Sequence, residues 1–186
     1  MLKTKICISP LFFAVLTLIL ILDKTGVSGI AVLFSLLHEL GHILALLCLK
    51  ISPEAVFVTP FGIRVSLFGT LSTVKKSAVF IAGFFVNFIL AAYFFAAGKE
   101  LFGYVNLLIG IFTALPVASA DGGSFLITIL DEFFPENSKR IFGIISGIFM
   151  GFLLIVFALV FIFTKNFFIL SAVLYMIFCA IKNAAN

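Results

Sequence analysis

Tryptophan is absent from the 186 residues, histidine occurs only twice, and only 11% of the chain is charged. A soluble domain carries about 25% charged and about 45–50% apolar residues, whereas 63% of this chain is hydrophobic. The shortage of charge excludes an ordinary soluble protein and a disordered chain. The net charge is +4, but no basic stripe accompanies it, so no nucleic-acid partner is expected. The three cysteines, Cys7, Cys48 and Cys179, show no C-x-x-C spacing and read as small apolar side chains in or beside apolar runs.

What the chain does have is long apolar runs. Six stand out, at about 6–22, 27–49, 77–97, 102–130, 141–163 and 167–182. The fourth is interrupted near Pro116 and Gly122-Gly123. Six helices of about 20 residues would use most of the length. The expectation is therefore one membrane-embedded domain over 1–186, an all-α bundle of about six transmembrane helices in a lipid bilayer. The first run has a basic start but no clear A-x-A cleavage site, and is kept as a span.

Between the second and third runs the pattern changes. Ala55–Val58 and Ile63–Leu67 flank Thr59-Pro60-Phe61-Gly62, which predicts two short strands around a turn. With six spans, Lys3, Lys5, Lys50, Arg64, Lys75, Lys76, Lys139, Arg140 and Lys182 share one side, and Lys24, Lys99 and Lys165 the other. That bias predicts both termini in the cytoplasm.

The two histidines lie in His38-Glu39-Leu40-Gly41-His42, an H-E-x-x-H inside an apolar run. Spacing of four puts both imidazoles on one helix face, where both can ligate one Zn²⁺. Glu39 falls beside the metal and can take a proton from a water activated there. A carboxylate within the bilayer costs at least about 2.5–3.5 kcal/mol, so Glu39 needs a reason to be present. Two histidines packed in a membrane core would give it none.

A catalytic zinc takes three protein ligands and keeps one position open. No third histidine exists, and nearly all other acids lie near span ends or in loops. The exception is Asp121, in Leu115-Pro116-Val117-Ala118-Ser119-Ala120-Asp121-Gly122-Gly123. Pro116 breaks the helix and the glycines allow close backbone approach. Asp121 could instead cap the resumed helix. Counting from the cytoplasmic ends, His42 lies about 8 residues and Asp121 about 9–10 residues deep, or about 12 Å or a little more. Both thus reach one level, nearer the cytoplasmic side. In the third run Asn87 is the lone amide, suited either to a developing oxyanion or to hydrogen bonding between helices.

Together these residues resemble the site-2 protease family of intramembrane zinc metalloproteases. His38 to His42 fits its H-E-x-G-H. Gly83 to Asn87 is similar to its G-P-x-x-N, with Phe84 in place of proline. Thr113 to Gly123 is similar to its N-x-x-P-x-x-x-x-D-G, with Thr113 in place of asparagine. The similarity covers about 27–130, the family's catalytic core. It implies His38, His42 and Asp121 as zinc ligands, Glu39 as general base and Asn87 as a transition-state contact. The six-span layout is most similar to the stage IV sporulation protein FB group, whose CBS domain is not seen in this sequence. The resemblance implies a protease that cuts a membrane-protein substrate, such as a transcription-factor precursor. The Phe-, Ile- and Leu-rich composition points to a bacterial cell membrane, and the accessory domains not seen here point to control by regulatory membrane partners.

Four rivals compete with this. A zincin with a downstream acidic ligand would need Glu132 or Glu136. A serine intramembrane protease would need a histidine outside the motif. A transporter is disfavoured by acids gathered at one site and the lack of a repeat. A non-proteolytic membrane zinc-binding or assembly protein would have no use for Glu39.

Overall fold

The structure, a computed structural model, describes residues 5–51, 53–59, 62–67, 71–118 and 120–164. The chain divides into two compact units, Met1–Thr113 and Ala114–Asn186. The expected core at about 27–130 runs across that division.

The first unit opens on a strand, β1 (Lys5–Ile8), followed by α1 (Pro10–Leu22) and α2 (Val27–Cys48). Then come β2 (Pro53–Thr59), β3 (Gly62–Leu67), α3 (Thr73–Ala96) and α4 (Glu100–Ala114). The second unit holds α5 (Asp121–Phe133) packed on α6 (Ser138–Thr164).

The strands form one sheet in the order β1-β2-β3. β2 and β3 pair antiparallel, from Thr59 opposite Gly62 to Pro53 opposite Leu67, with an irregularity between Pro53 and Ala55. β1 pairs parallel to β2, Lys5 opposite Ala55 through Ile8 opposite Val58. A parallel pair needs a long crossover, and here α1 and α2 supply it.

Three helices are long and apolar enough to cross a membrane: α2, α3 and α6. The described residues therefore give three candidate spans, where six were expected. The first run is divided between β1 and a 13-residue helix. At 1.5 Å per residue that helix covers about 20 Å of a hydrocarbon core about 30 Å thick. The fourth run is split into α4 and α5, of 15 and 13 residues. The sixth run, 167–182, lies outside the described residues.

Two helix ends set the geometry of the first unit. After α3, Gly98 takes a left-handed φ of 68°. Its N–H donates to Phe95 O at 3.1 Å, and that of Lys99 to Phe94 O at 2.8 Å. This paired closure ends a helix sharply and turns the chain straight into α4. The same closure ends α2, with Lys50 N–H on Leu47 O and Ile51 N–H on Leu46 O. There a lysine, not a glycine, holds the left-handed position at φ 55°.

Candidate metal centre

α2 and α3 run in opposite directions and touch along small residues. A Cβ on Gly41 would stand 2.7 Å from Ala82 O and 2.9 Å from Val86 Cγ2, so only glycine lets the backbones come this close. On this contact α3 offers one stripe, Val79, Gly83 and Asn87, at successive four-residue steps. All three are buried.

Each member of that stripe meets a histidine of α2. His42 Nδ1 donates to Val79 O at 2.7 Å. A carbonyl can only accept, so the hydrogen of His42 sits on Nδ1. His38 Nδ1 lies 2.7 Å from Asn87 Oδ1. The direction of this second bond follows from the far end of a chain of amides. Asn106 Nδ2, on α4, donates to Phe102 O at 2.9 Å. Asn106 Oδ1 therefore faces Asn87 and accepts from its Nδ2 at 3.2 Å. Asn87 Nδ2 also donates to Phe34 O at 3.4 Å. Asn87 Oδ1 is left to accept, and His38 donates from Nδ1.

Both rings thus turn Nε2 inward, where the two nitrogens stand 3.2 Å apart. Two bare acceptors at that distance repel unless a proton or a metal ion lies between them. Metal-ligating histidines have this arrangement, Nε2 towards the ion and Nδ1–H tied to an oxygen behind. Gly83 keeps the space open: a Cβ there would run into His42 Nε2 and stand 2.7 Å from His38 Nε2. His38 is only 5% exposed. The donor set, two buried imidazoles, fits Zn²⁺. Glu39 is half-buried and lies about 100° around α2 from His38.

The packing that holds the amides is aromatic. Phe34, Phe94 and Phe102, one each from α2, α3 and α4, meet with ring centroids 5.3–6.0 Å apart. The two carbonyls that anchor the amide chain belong to Phe34 and Phe102. Gly103 and Gly110 of α4 lie under the rings of Phe95 and Phe88, which fixes α4 along α3.

Asp121 belongs to the second unit and is the first residue of α5. The cap position is taken by Ala120, extended at φ −111°, ψ 160°, with no side-chain cap bond. Asp121 is therefore not the cap that the alternative reading foresaw. As an acid in the first turn it is favoured by the helix dipole. The segment before it folds tightly: Val117 N–H donates to Leu115 O at 2.8 Å and Ala120 N–H to Val117 O at 3.0 Å. A Cβ on Gly122 would collide with Ala114 O, and one on Gly123 with Val117 O. The glycines expected to allow close approach do so here, and they hold Asp121 in place at the helix start.

Of the two roles open to Asn87, the structure shows the hydrogen bond between helices. Its amide hydrogens are directed to α2 and α4, behind His38. Thr113 Oγ1 donates back to Ile109 O at 2.8 Å, within its own helix. Asn106 was missed by sequence reasoning. The available signal was an amide in an apolar run, outside any motif.

No protein-family model matches the chain, and no curated relative matches it either. Among solved structures it is similar to the Site-2 Protease from Methanocaldococcus jannaschii. The TM-score is 0.67 at 21% identity, over 97% of this chain and 92% of that one. The two share a fold.

Proposed function

We propose that this chain is an intramembrane zinc metalloprotease of the site-2 type, one that hydrolyses a peptide bond in or beside a transmembrane segment of a membrane-bound substrate. The observation that carries the proposal is the pair of inward Nε2 atoms 3.2 Å apart, each with its Nδ1–H tied behind it. The shared fold and the glutamate between the histidines support the same reading. His38, His42 and Asp121 each offer one ligand atom, and in this proposal they hold Zn²⁺. Bound zinc supplies Lewis acidity to the scissile carbonyl and to water.

The chain's own residues do the rest. Asn87 and Val79 O keep both imidazoles in the ligating tautomer. Glu39 takes the proton of the attacking water and returns it to the leaving amine. A helical substrate hides its carbonyls and must unwind to be cut. β3 is an outer strand of the sheet, and an extended substrate segment can pair with it. The membrane is that of a bacterial cell, with both termini and the nearer approach to the site on the cytoplasmic side. Partner membrane proteins control access, and a transcription-factor precursor is one substrate class.

Metal analysis of detergent-purified protein tests this. Wild type is expected to hold about one zinc per chain, lost in His38→Ala and in Asp121→Ala. Glu39→Gln is expected to keep the zinc and lose cleavage by at least about a hundredfold. Zinc retained in Asp121→Ala would remove Asp121 from the ligand set. Full cleavage by Glu39→Gln would remove the general base.

A further inference from the structure

We infer that Asn106, on α4, is a positioning residue for the metal centre, acting through Asn87 to fix the tautomer and ring orientation of His38. The inference rests on the metal reading above. It is drawn from the order of bonds from Phe102 O to Asn106, then Asn87, then His38. Among the described residues, Asn106 and Asn87 are the two largest side chains with no exposed surface, each at 0%. Each link has one possible direction. Phe102 O cannot donate, so Asn106 must present its oxygen to Asn87. Asn87 must then present its own oxygen to His38. Without Asn106 the Asn87 amide keeps only the longer bond to Phe34 O, 3.4 Å. Its oxygen and nitrogen can then exchange places, and His38 can carry its hydrogen on either nitrogen. His42 is independent of this, because its partner is the backbone of Val79.

The chain itself indicates the right variant. Thr113 and Thr128 hydroxyls donate to carbonyls four residues back, at 2.8 and 2.7 Å. Asn106→Ser is expected to do the same to Phe102 O, so α4 loses no bond of its own. The shorter side chain no longer reaches Asn87. In its neutral form Asn106→Asp keeps an O–H to donate to Phe102 O and an oxygen facing Asn87, and serves as the conservative rescue.

With only two histidines in the chain, ¹⁵N-histidine labelling of the full protein in detergent, stripped of metal, gives two resolvable rings. In wild type both rings are expected to carry a hydrogen on Nδ1. In Asn106→Ser the His38 nitrogens are expected to move towards the average of the two tautomers while the His42 nitrogens stay. Zinc affinity, read by competition with a chelator, is expected to fall about tenfold, the low end for groups behind a ligand. Asn106→Asp is expected to restore both readouts. In an Asn87→Leu background, Asn106→Ser is expected to add no further loss. Unchanged His38 signals with wild-type zinc affinity in Asn106→Ser would overturn the inference and leave the metal site standing. So would a shift of both histidines together, which marks general loosening of the helices. A wild-type chain that binds no zinc would overturn the metal reading, and this inference with it.

Discussion

Gly83 separates metal binding from folding more cleanly than any ligand does. Glycine inside a helix is less favourable than alanine by about 0.8–1.0 kcal/mol, so propensity alone would make Gly83→Ala stabilising. The added methyl would land on His42 Nε2 and crowd His38 Nε2. The expected outcome is a folded protein with normal helical content whose zinc affinity falls by at least about a hundredfold, the high end for displaced ligand geometry. Gly41→Ala is the control. Its methyl meets the backbone oxygen of Ala82, which cannot swing away, so α2 and α3 are forced apart and thermal stability drops as well. Equal zinc affinity in Gly83→Ala and wild type would place the ion elsewhere. At this scale the sequence was most legible where chemistry and spacing coincide. His38 and His42 are a turn apart and can meet, whatever surrounds them. Asn87 stood out as a polar residue in an apolar helix, but its amide partner, Asn106, is nineteen residues away on the next helix. No local pattern encodes that partnership.

Among the elements, the start of α2 depends on an acid outside it. Asp23 Oδ1 accepts from the N–H and hydroxyl of Thr25, and Oδ2 from the N–H and hydroxyl of Ser28, at 2.5–2.7 Å. Gly26 occupies the cap position at φ 76° with no side-chain bond, so Asp23 does the capping from three residues before. The Ser28 hydroxyl, then that of Thr25, then their amides hold the Asp23 carboxyl well below the usual carboxylate range. A lowered folded-state value has one sign. The contribution is complete above the unfolded value near 3.9 and is lost as pH falls towards the folded one. Amide exchange at Ser28 is therefore expected to stay slow from neutral pH down to about 4, allowing for the intrinsic pH dependence of exchange. In Asp23→Asn, which lacks the charge, it is expected to be faster throughout that range. Exchange at Ser28 that is the same in both would remove Asp23 from the cap. Elements as such were partly legible. Two short runs around a Thr-Pro-Phe-Gly turn marked β2 and β3, and proline marked the break between α4 and α5. β1 was read as the start of an apolar helix. Four residues, Lys5–Ile8, carry too little pattern to tell strand from helix, and what makes them a strand is β2, some fifty residues on. α1, α4 and α5 show the converse limit: apolar composition is visible in sequence, but where a helix stops short of a bilayer's thickness is decided by what the chain packs against.

For the molecule as a whole, the distribution of basic residues makes the orientation testable within the first unit alone. α2 and α3 are antiparallel, so Lys24 and Lys99 lie at one end of the pair. Lys50, Lys75 and Lys76 lie at the other, where the chain leaves for the sheet. Basic residues favour the cytoplasmic side, which predicts that the sheet end faces inward. His42 is six residues from the end of α2 at Cys48 and fifteen from its start at Val27, or about 9 Å against about 22 Å. The orientation therefore decides from which side water and an unwound substrate reach the histidines. Single-cysteine variants, made after replacing Cys7, Cys48 and Cys179, check it in intact bacterial cells with a membrane-impermeant maleimide. Lys24→Cys and Lys99→Cys are expected to be labelled from outside, and Lys75→Cys only after the cells are opened. The opposite pattern would turn the sheet outward and bring the substrate to the histidines from the cell exterior. A protease that releases cytoplasmic transcription factors would then be the wrong reading, even if every residue of the metal centre were right.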